Sequence, residues 1–278
     1  MIRFLVDTAS DYTIEEISQL GLDFVPMPIT LGDKTFLDCV DIERNEFYDL
    51  MAQTEDFPKT SQPASQDFID CFKKVKENGD KLICVLISSE MSGTFQSANL
   101  AKSMVDYDGI HIIDSLGASY VIKVIVDYGL KLRDAGESYE SIIEKLEIFK
   151  TKIKLYAVLD TLDNLYRGGR LSKTVAGIGT LAKVKPIITF TEEGEIGIVS
   201  KAIGRKKAAA GIIDIVKKKD LDPEFPIYAL KSFGEDNHTA FIEKLKSSGI
   251  NVDDVLQIGA TIGIHIGPGA FGIIVVEK

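Results

Sequence analysis

The sequence predicts an α/β protein with two domains, the first built on a parallel sheet and the second on a mixed one. Three observations carry this. Short apolar runs alternate with amphipathic helical patterns along the first half, which implies parallel strands with helices on both faces of the sheet. The second half contains "VKPIITFTEEGEIGIVSKA", two strand patterns joined by a polar, glycine-containing turn, and such a hairpin is antiparallel. The chain has 278 residues, of which 45% are hydrophobic and 27% charged, enough for two ordinary cores.

The elements follow in order. "IRFLV" is an apolar run that stops at Asp7 and Thr8. "TIEEISQLG" is helical and ends at Gly21. "DFVPMPITL" reads as one strand, confined by Pro26 and Pro28 to an edge. "ERNEFYDLMAQ" and "SQDFIDCFKKVKENG" are helices, the second with Phe68, Phe72 and Val75 on one stripe. "KLICVLIS" and "GIHIID" are buried strands, and "ASYVIKVIVDYGLKLRDAG" and "SYESIIEKLEIFKTKI" are long helices. The second half opens with the strand "KLYAVLD", then "LSKTVAGIGTLAK", which looks helical, then the hairpin and the helix "RKKAAAGIIDIVKKK". "FPIYALKSF", "VDDVLQIGA" and "GAFGIIVVE" are strands, with a helix around "HTAFIEKLKSSG". The domain boundary is expected near residue 152, giving domains 1–152 and 153–278.

Bulk properties exclude some functions. A formal net charge of −10 repels polyanions, so nucleic acid is not an expected partner. No run approaches the ~20 apolar residues that cross a bilayer, so stable membrane insertion is not expected. "MIRFLVDTASD" reaches an acid too early for a signal peptide. Cys39, Cys71 and Cys84 are far apart and odd in number, fitting packed thiols in a reducing cytoplasm rather than a metal motif or disulfides.

Ligands of parallel α/β sheets sit beyond the carboxyl ends of the strands. Hydroxyls gather there: Thr8 and Ser10; Ser88, Ser89, Ser92 and Thr94; Ser115 and Ser119; and Thr60, Ser61 and Ser65 before a helix. Ser10, Ser65 and Ser119 are expected to cap helices. The turn "SSEMSGT" is more specific, because Gly93 permits close approach of backbone N–H groups and Ser92 and Thr94 add donors. It carries no lysine, so it suits one negative charge held by neutral donors, with helix capping as the simpler reading.

In "ATIGIHIGPGAFG", His265 follows a short β-like run and precedes a Gly-Pro-Gly turn, where its ring can face a cleft. His111 lies within a strand and His238 in a polar loop, and both read as structural. "LYRGGRLSK" sets Arg167 and Arg170 around a Gly-Gly turn, either as solvated charges or as a clamp for a carboxylate or phosphate. "SKAIGRKKAAA" adds Lys201 and Arg205, on a helix surface or in a phosphate-binding patch. There is no P-loop and no G-x-S-x-G elbow, and "GIGTLA" lacks the preceding strand of a dinucleotide site.

Taken in order, "DTASD", "KTSQPAS", "ISSEMSGTFQSA", "IIDS", "LYRGGRLSK", "KPIITFTEEGEI" and "HIGPGAFG" resemble the DegV family across essentially the whole chain. The resemblance implies a Rossmann-like N-terminal domain, a C-terminal domain with a mixed six-stranded sheet, and a long-chain fatty acid held between them. It implies a lipid-binding protein rather than an enzyme, with no cofactor, cytoplasmic and bacterial. Some members are the acyl-binding subunit of a fatty acid kinase and present the acid to a separate ATP-using subunit. Carried over by motif, Thr60 and Ser92 would hydrogen-bond the carboxylate, flanked by Ser61, Gly93 and Thr94. His265 would help from the other domain, and Arg170 would lie near the head group. Arg167, Lys201 and Arg205 would contact the partner or a phosphate, although the family's K-x-R spacing is stretched here to "KAIGR". Two alternatives stand beside it: an acyl hydrolase or thioesterase with Ser92 as nucleophile and His265 as base, and a dihydroxyacetone-kinase-like sugar binder using His265.

Overall fold

The computed structural model of the protein describes residues 1–171, 184–234 and 236–278. The helical pattern expected over "LSKTVAGIGTLAK" lies, beyond Leu171, outside the described residues. The chain divides into two compact units: Met1–Thr151 with Gly259–Thr261 form unit 1, and Lys152–Ile258 with Ile262–Lys278 form unit 2.

Unit 1 contains, in chain order, β1 (Ile2–Asp7), α1 (Ile14–Leu20), β2 (Asp23–Val25), β3 (Pro28–Leu31), β4 (Lys34–Leu37), α2 (Arg44–Ala52) and β5 (Lys59–Thr60). It continues with α3 (Ser65–Glu77), β6 (Lys81–Leu86), α4 (Thr94–Val105), β7 (Ile110–Asp114), α5 (Tyr120–Asp134) and α6 (Tyr139–Phe149). Four strands pair in parallel in the order β2-β1-β6-β7. Successive residues of β1 face opposite ways. Leu5 joins Phe68, Phe72 and Val75 of α3 and Ala98 and Ala101 of α4 in one apolar cluster. Phe4 faces the other helical layer, where a side chain on Gly129 of α5 would meet its ring at 2.6 Å and Leu146 of α6 at 3.1 Å. The predicted helix-sheet-helix arrangement follows from this alternation.

Local chemistry sets the element ends. Thr13 and Glu16 form a reciprocal capping box that starts α1, and Gly21 ends it in a left-handed conformation. "DFVPMPITL" is not one strand. It splits at Pro26 into β2, an edge of the parallel sheet, and β3, the centre of a second sheet ordered β4-β3-β5. Pro28 opens β3, and a proline is tolerated at the first residue of a strand. The two-residue turn Gly32–Asp33, with φ +58° at Gly32, then pairs Leu31 with Lys34 in a hairpin.

Unit 2 contains β8 (Ile153–Val158), α7 (Asp163–Arg167), β9 (Val184–Phe190), β10 (Ile196–Ile203), α8 (Arg205–Val216) and β11 (Tyr228–Lys231). Then come α9 (His238–Ser247), β12 (Asp254–Gln257), α10 (Ala260–Ile266), whose first two residues belong to unit 1, and β13 (Phe271–Val276). The described strands form a mixed sheet, β10-β9-β8-β13-β11-β12, whose only parallel pair is β11 with β12. Tyr156, Val158, Ile273 and Val275 on one face pack against Ala208, Ile212 and Val216 of α8 and Phe241 and Leu245 of α9. His238 opens α9 rather than lying in a loop.

The β-like run before His265 is a helix. Thr261, Ile262, Ile264 and Ile266 favour strand by propensity, but the first turn of α10 is fixed by tertiary contacts, and these override a weak local preference. Gly267, at φ +77°, ends the helix and donates its N–H to the Gly263 carbonyl at 2.9 Å.

Gly129→Val should overpack the Phe4–Leu146 contact and cost about 1–3 kcal/mol. Urea unfolding checks this, and an unchanged midpoint would show that the helical layer has room to yield.

Candidate functional site

In the parallel sheet, β1 is followed by β2 on one side while β6 lies on its other side. The strand order therefore reverses at β1 and β6, the switch point beyond whose carboxyl ends sheets of this kind bind ligands. Asp7 ends β1 there and ties the two strands together: Oδ1 accepts the Ala9 N–H at 2.8 Å and Oδ2 accepts the Ile87 N–H at 3.0 Å. Its carboxyl is fully buried, and that burial raises its pKa to about 7 against the two N–H bonds that lower it.

The turn after β6 carries Ser92, Gly93 and Thr94. The N–H groups of Met91 and Ser92 both donate to the Ser88 carbonyl, coiling the chain into the start of α4. The Ser92 and Thr94 hydroxyls pair at 2.8 Å, and Ser92 Oγ accepts the Thr94 N–H at 3.3 Å. Both side chains are buried. A Cβ on Gly93 would lie 1.6 Å from Gln62 Oε1, so a larger residue there would have to displace the Gln62 amide. Gln62 Nε2 donates in turn to Ser97 Oγ at 2.9 Å. The fold thus brings the "KTSQPAS" loop onto the "SGT" turn. Thr60 is half-buried in β5, paired with Ile29, and Ser61 is exposed with its N–H donating to the Pro28 carbonyl.

The other hydroxyls serve their own neighbourhoods. Thr8 accepts the Met27 N–H, Ser88 accepts the Glu90 N–H, and Ser115 donates to the Gly117 carbonyl. The three serines expected to cap helices do not cap them. Ser10 donates to the Asp7 carbonyl within a short 3-10 turn. Ser65 is the first residue of α3, whose start is held by Asp67 accepting the Ala64 N–H. Ser119 precedes α5 but donates to the Asp11 carboxylate, because that fully buried acid needs a donor more than the helix does.

Asp11 belongs to a buried polar cluster that sequence reasoning missed. It accepts the Gly259 N–H at 2.9 Å. Burial raises its pKa to about 6, opposed by the Arg44 guanidinium, the Ser119 hydroxyl and the Gly259 N–H. Asp38, also raised by burial, accepts both the N–H and the hydroxyl of Thr261, at 3.1 and 2.6 Å. The Tyr48 hydroxyl donates to the Gly259 carbonyl at 2.7 Å.

In unit 2, His265 lies on α10 with its ring against Gly168, where a Cβ would stand 2.2 Å from Nδ1. The Gly-Gly turn after α7 therefore exists partly to make room for this imidazole. Burial, and then the Arg170 guanidinium, lower its pKa to about 4, so the ring is neutral near pH 7. Arg170 is half-buried and donates to the Gly168 carbonyl at 2.6 Å. Asn164, two residues from Tyr166, donates to the Ile264 carbonyl at 2.8 Å and steadies α10. Arg167 and Lys201 are exposed. Arg205 forms a two-point ion pair with Asp160, both bonds 2.9 Å, and Lys185 joins the same carboxylate at 2.8 Å. Burial raises the Asp160 pKa, but these two cations outweigh it and hold the carboxyl below its ordinary value.

Among the described residues no group of three His, Cys, Asp or Glu side chains is placed to hold a metal ion. No described helix is long and apolar enough to cross a membrane.

Two sheets of this order, one parallel and one mixed, define a DegV-type α/β architecture. The chain belongs to the DegV family, whose sequence profile matches residues 1–278. It is 34% identical over 279 residues to a DegV domain-containing protein of Clostridium acetobutylicum, covering 100% of this chain and 99% of that one. A fatty-acid-binding DegV family protein from Thermus thermophilus superposes with a TM-score of 0.88 at 29% identity, over 100% of this chain and 99% of the other. A stearic-acid-binding protein from Eubacterium ventriosum superposes with a TM-score of 0.87 at 28% identity, with the same coverage.

The buried acids make a pH prediction. Asp7 and Asp11 carry folded pKa values of about 7 and about 6, above the ordinary 3.8, so folding takes up protons and stability rises as pH falls toward about 4. His265, at about 4 against an ordinary 6.5, acts in the opposite sense over an overlapping range. Two groups outweigh one, so urea midpoints should rise from about pH 7.5 to about pH 5. A profile that falls over that interval contradicts the assignment.

Proposed function

We propose that this protein binds a long-chain fatty acid and presents it to a separate ATP-dependent kinase subunit for acyl-phosphate formation. In this reading Thr60, Ser92 and His265 hold the carboxylate, with Ser61, Gly93 and Thr94 beside it and Arg170 near the head group. Arg167, Lys201 and Arg205 meet the partner or a phosphate. The protein itself is a cytoplasmic carrier without a cofactor.

The observation that carries the reading is the Ser92–Gly93–Thr94 turn after β6, at the β1/β6 switch point, which brings two hydroxyls together with no cationic side chain. A fatty acid suits such a site on energetic grounds. Burying about fifteen methylenes contributes roughly 12 kcal/mol gross at ~0.8 each, reduced by ordering and association costs. The head group is the difficulty, because an unpaired buried carboxylate costs several kcal/mol. Neutral donors satisfy it while leaving an oxygen nucleophilic toward a phosphoryl group. A neutral imidazole at His265 fits the same logic, since it donates one N–H without adding a charge. The fatty-acid-binding relatives above support the ligand class. Arg205 is held by Asp160, so a phosphate contact from Arg205 requires that pair to loosen.

The hydrolase alternative is weaker. A serine nucleophile needs a base on its hydroxyl, and the Ser92 hydroxyl is bonded to the Thr94 hydroxyl and the Thr94 N–H.

Native mass spectrometry of the purified protein should show a co-purified acid of roughly C14–C18. Ser92→Ala should weaken palmitate binding roughly tenfold or more, as expected for losing a hydrogen bond to a charged group, whereas Ser119→Ala should act on stability through Asp11. Ligand-free protein that binds no added palmitate overturns the reading.

A further inference from the structure

Helix α10 carries His265 but has little to hold it by itself. It spans seven residues, Ala260–Ile266, four of them β-branched. A helix this short is not stable alone, so its position comes from tertiary contacts. Those contacts concentrate on its lead-in and first turn, Gly259–Thr261, the short segment that belongs with unit 1.

Gly259 and Thr261 make five hydrogen bonds there. Asp11 accepts the Gly259 N–H at 2.9 Å, and the Tyr48 hydroxyl donates to the Gly259 carbonyl at 2.7 Å. Asp38 accepts the Thr261 N–H and hydroxyl at 3.1 and 2.6 Å, and the Thr8 and Thr261 hydroxyls meet at 3.3 Å. The partners lie more than two hundred residues apart in sequence. The arrangement is expensive, since Asp11 and Asp38 are almost fully buried carboxylates, and apolar packing often holds a segment at lower cost. Backbone strain gathers at the same place. Of the five described non-glycine residues with positive φ, three are Asp11, Ser119 bonded to it, and Cys39 beside Asp38. Strain and buried charge of this kind persist where a geometry is over-determined.

We propose that Asp11, Asp38 and Tyr48 are positioning residues: they clasp Gly259–Thr261 and thereby set the place of His265, an inference that rests on the head-group role proposed above for His265. The imidazole follows Thr261 by four residues on the same helix, about 6 Å along its axis. Asp38 fixes the first turn of α10, Asp11 and Tyr48 fix the residue before it, and Asn164 and Gly168 shape the far end around the ring.

The test combines two readouts on the full-length protein. The first is the His265 ring titration by NMR, assigned with His265→Gln among the three histidines. Asp38→Ala should move that titration up from about 4 toward 6.5 as the ring leaves its buried seat. Asp38→Asn, whose amide oxygen still accepts from Thr261, should restore it. The second is palmitate affinity, which Asp38→Ala should weaken about tenfold in the native background, and much less in a His265→Ala background. A lower unfolding midpoint with unaltered ring titration and affinity, or an affinity loss undiminished without His265, overturns the proposal. If Asp38→Ala does not fold, Tyr48→Phe removes one oxygen and carries the same comparison. If the unaltered protein binds no palmitate, the fatty-acid reading falls and the ring titration alone decides the clasp.

Discussion

A carboxylate taken out of water must be given donors, and much of this protein's polar chemistry answers that demand. Asp7, Asp11 and Asp38 are buried; Asp7 is met by two backbone N–H groups, and Asp11 and Asp38 each by a backbone N–H and a hydroxyl. Arg44 adds a nearby guanidinium to Asp11 and Asp38. Asp7 joins the ends of the two strands at the switch point, and Asp11 and Asp38 hold the segment that leads into the His265 helix. The donor set proposed for the fatty-acid head group is of the same kind. A carrier that must release its ligand's carboxylate to a phosphoryl donor gains from this choice, because a tight cationic pair would quench the oxygen it needs to expose.

Most of the fold was legible because hydrophobic periodicity is a long-range average. The stripe of Phe68, Phe72 and Val75, the buried run of β6 and the β9–β10 hairpin all formed as their patterns predict. The failures are local and have physical causes. "DFVPMPITL" looked continuous because its residues favour strands, but Pro26 separates two strands that belong to different sheets. The Gly32–Asp33 hairpin that follows carried a readable two-residue turn. "ATIGIHI" alternates like a strand and folds as a helix, since no local propensity records a carboxylate waiting at Asp38.

The candidate site was legible in part. Gly93 drew attention as a place of close approach, and the approaching group is Gln62, two residues past Thr60. The "GGR" and "HIGPG" motifs meet at Gly168 and His265 for the same steric reason. Serines were less readable, because a hydroxyl before a helix has the same signature whether it caps that helix or serves a buried acid elsewhere. Ser119 does the second. Asp11, Asp38 and Asp160 were invisible as partners, since their ligating groups lie far away in sequence.

The central claim is that neutral donors hold an acidic head group in this protein. A crystal structure with bound palmitate tests it most directly. The account predicts carboxylate oxygens within hydrogen-bond range, about 2.6–3.2 Å, of the Ser92 and Thr60 hydroxyls and a ring nitrogen of His265, with the acyl chain enclosed by apolar side chains. A head group paired with Arg170 alone, or an acid lying elsewhere on the molecule, would contradict it.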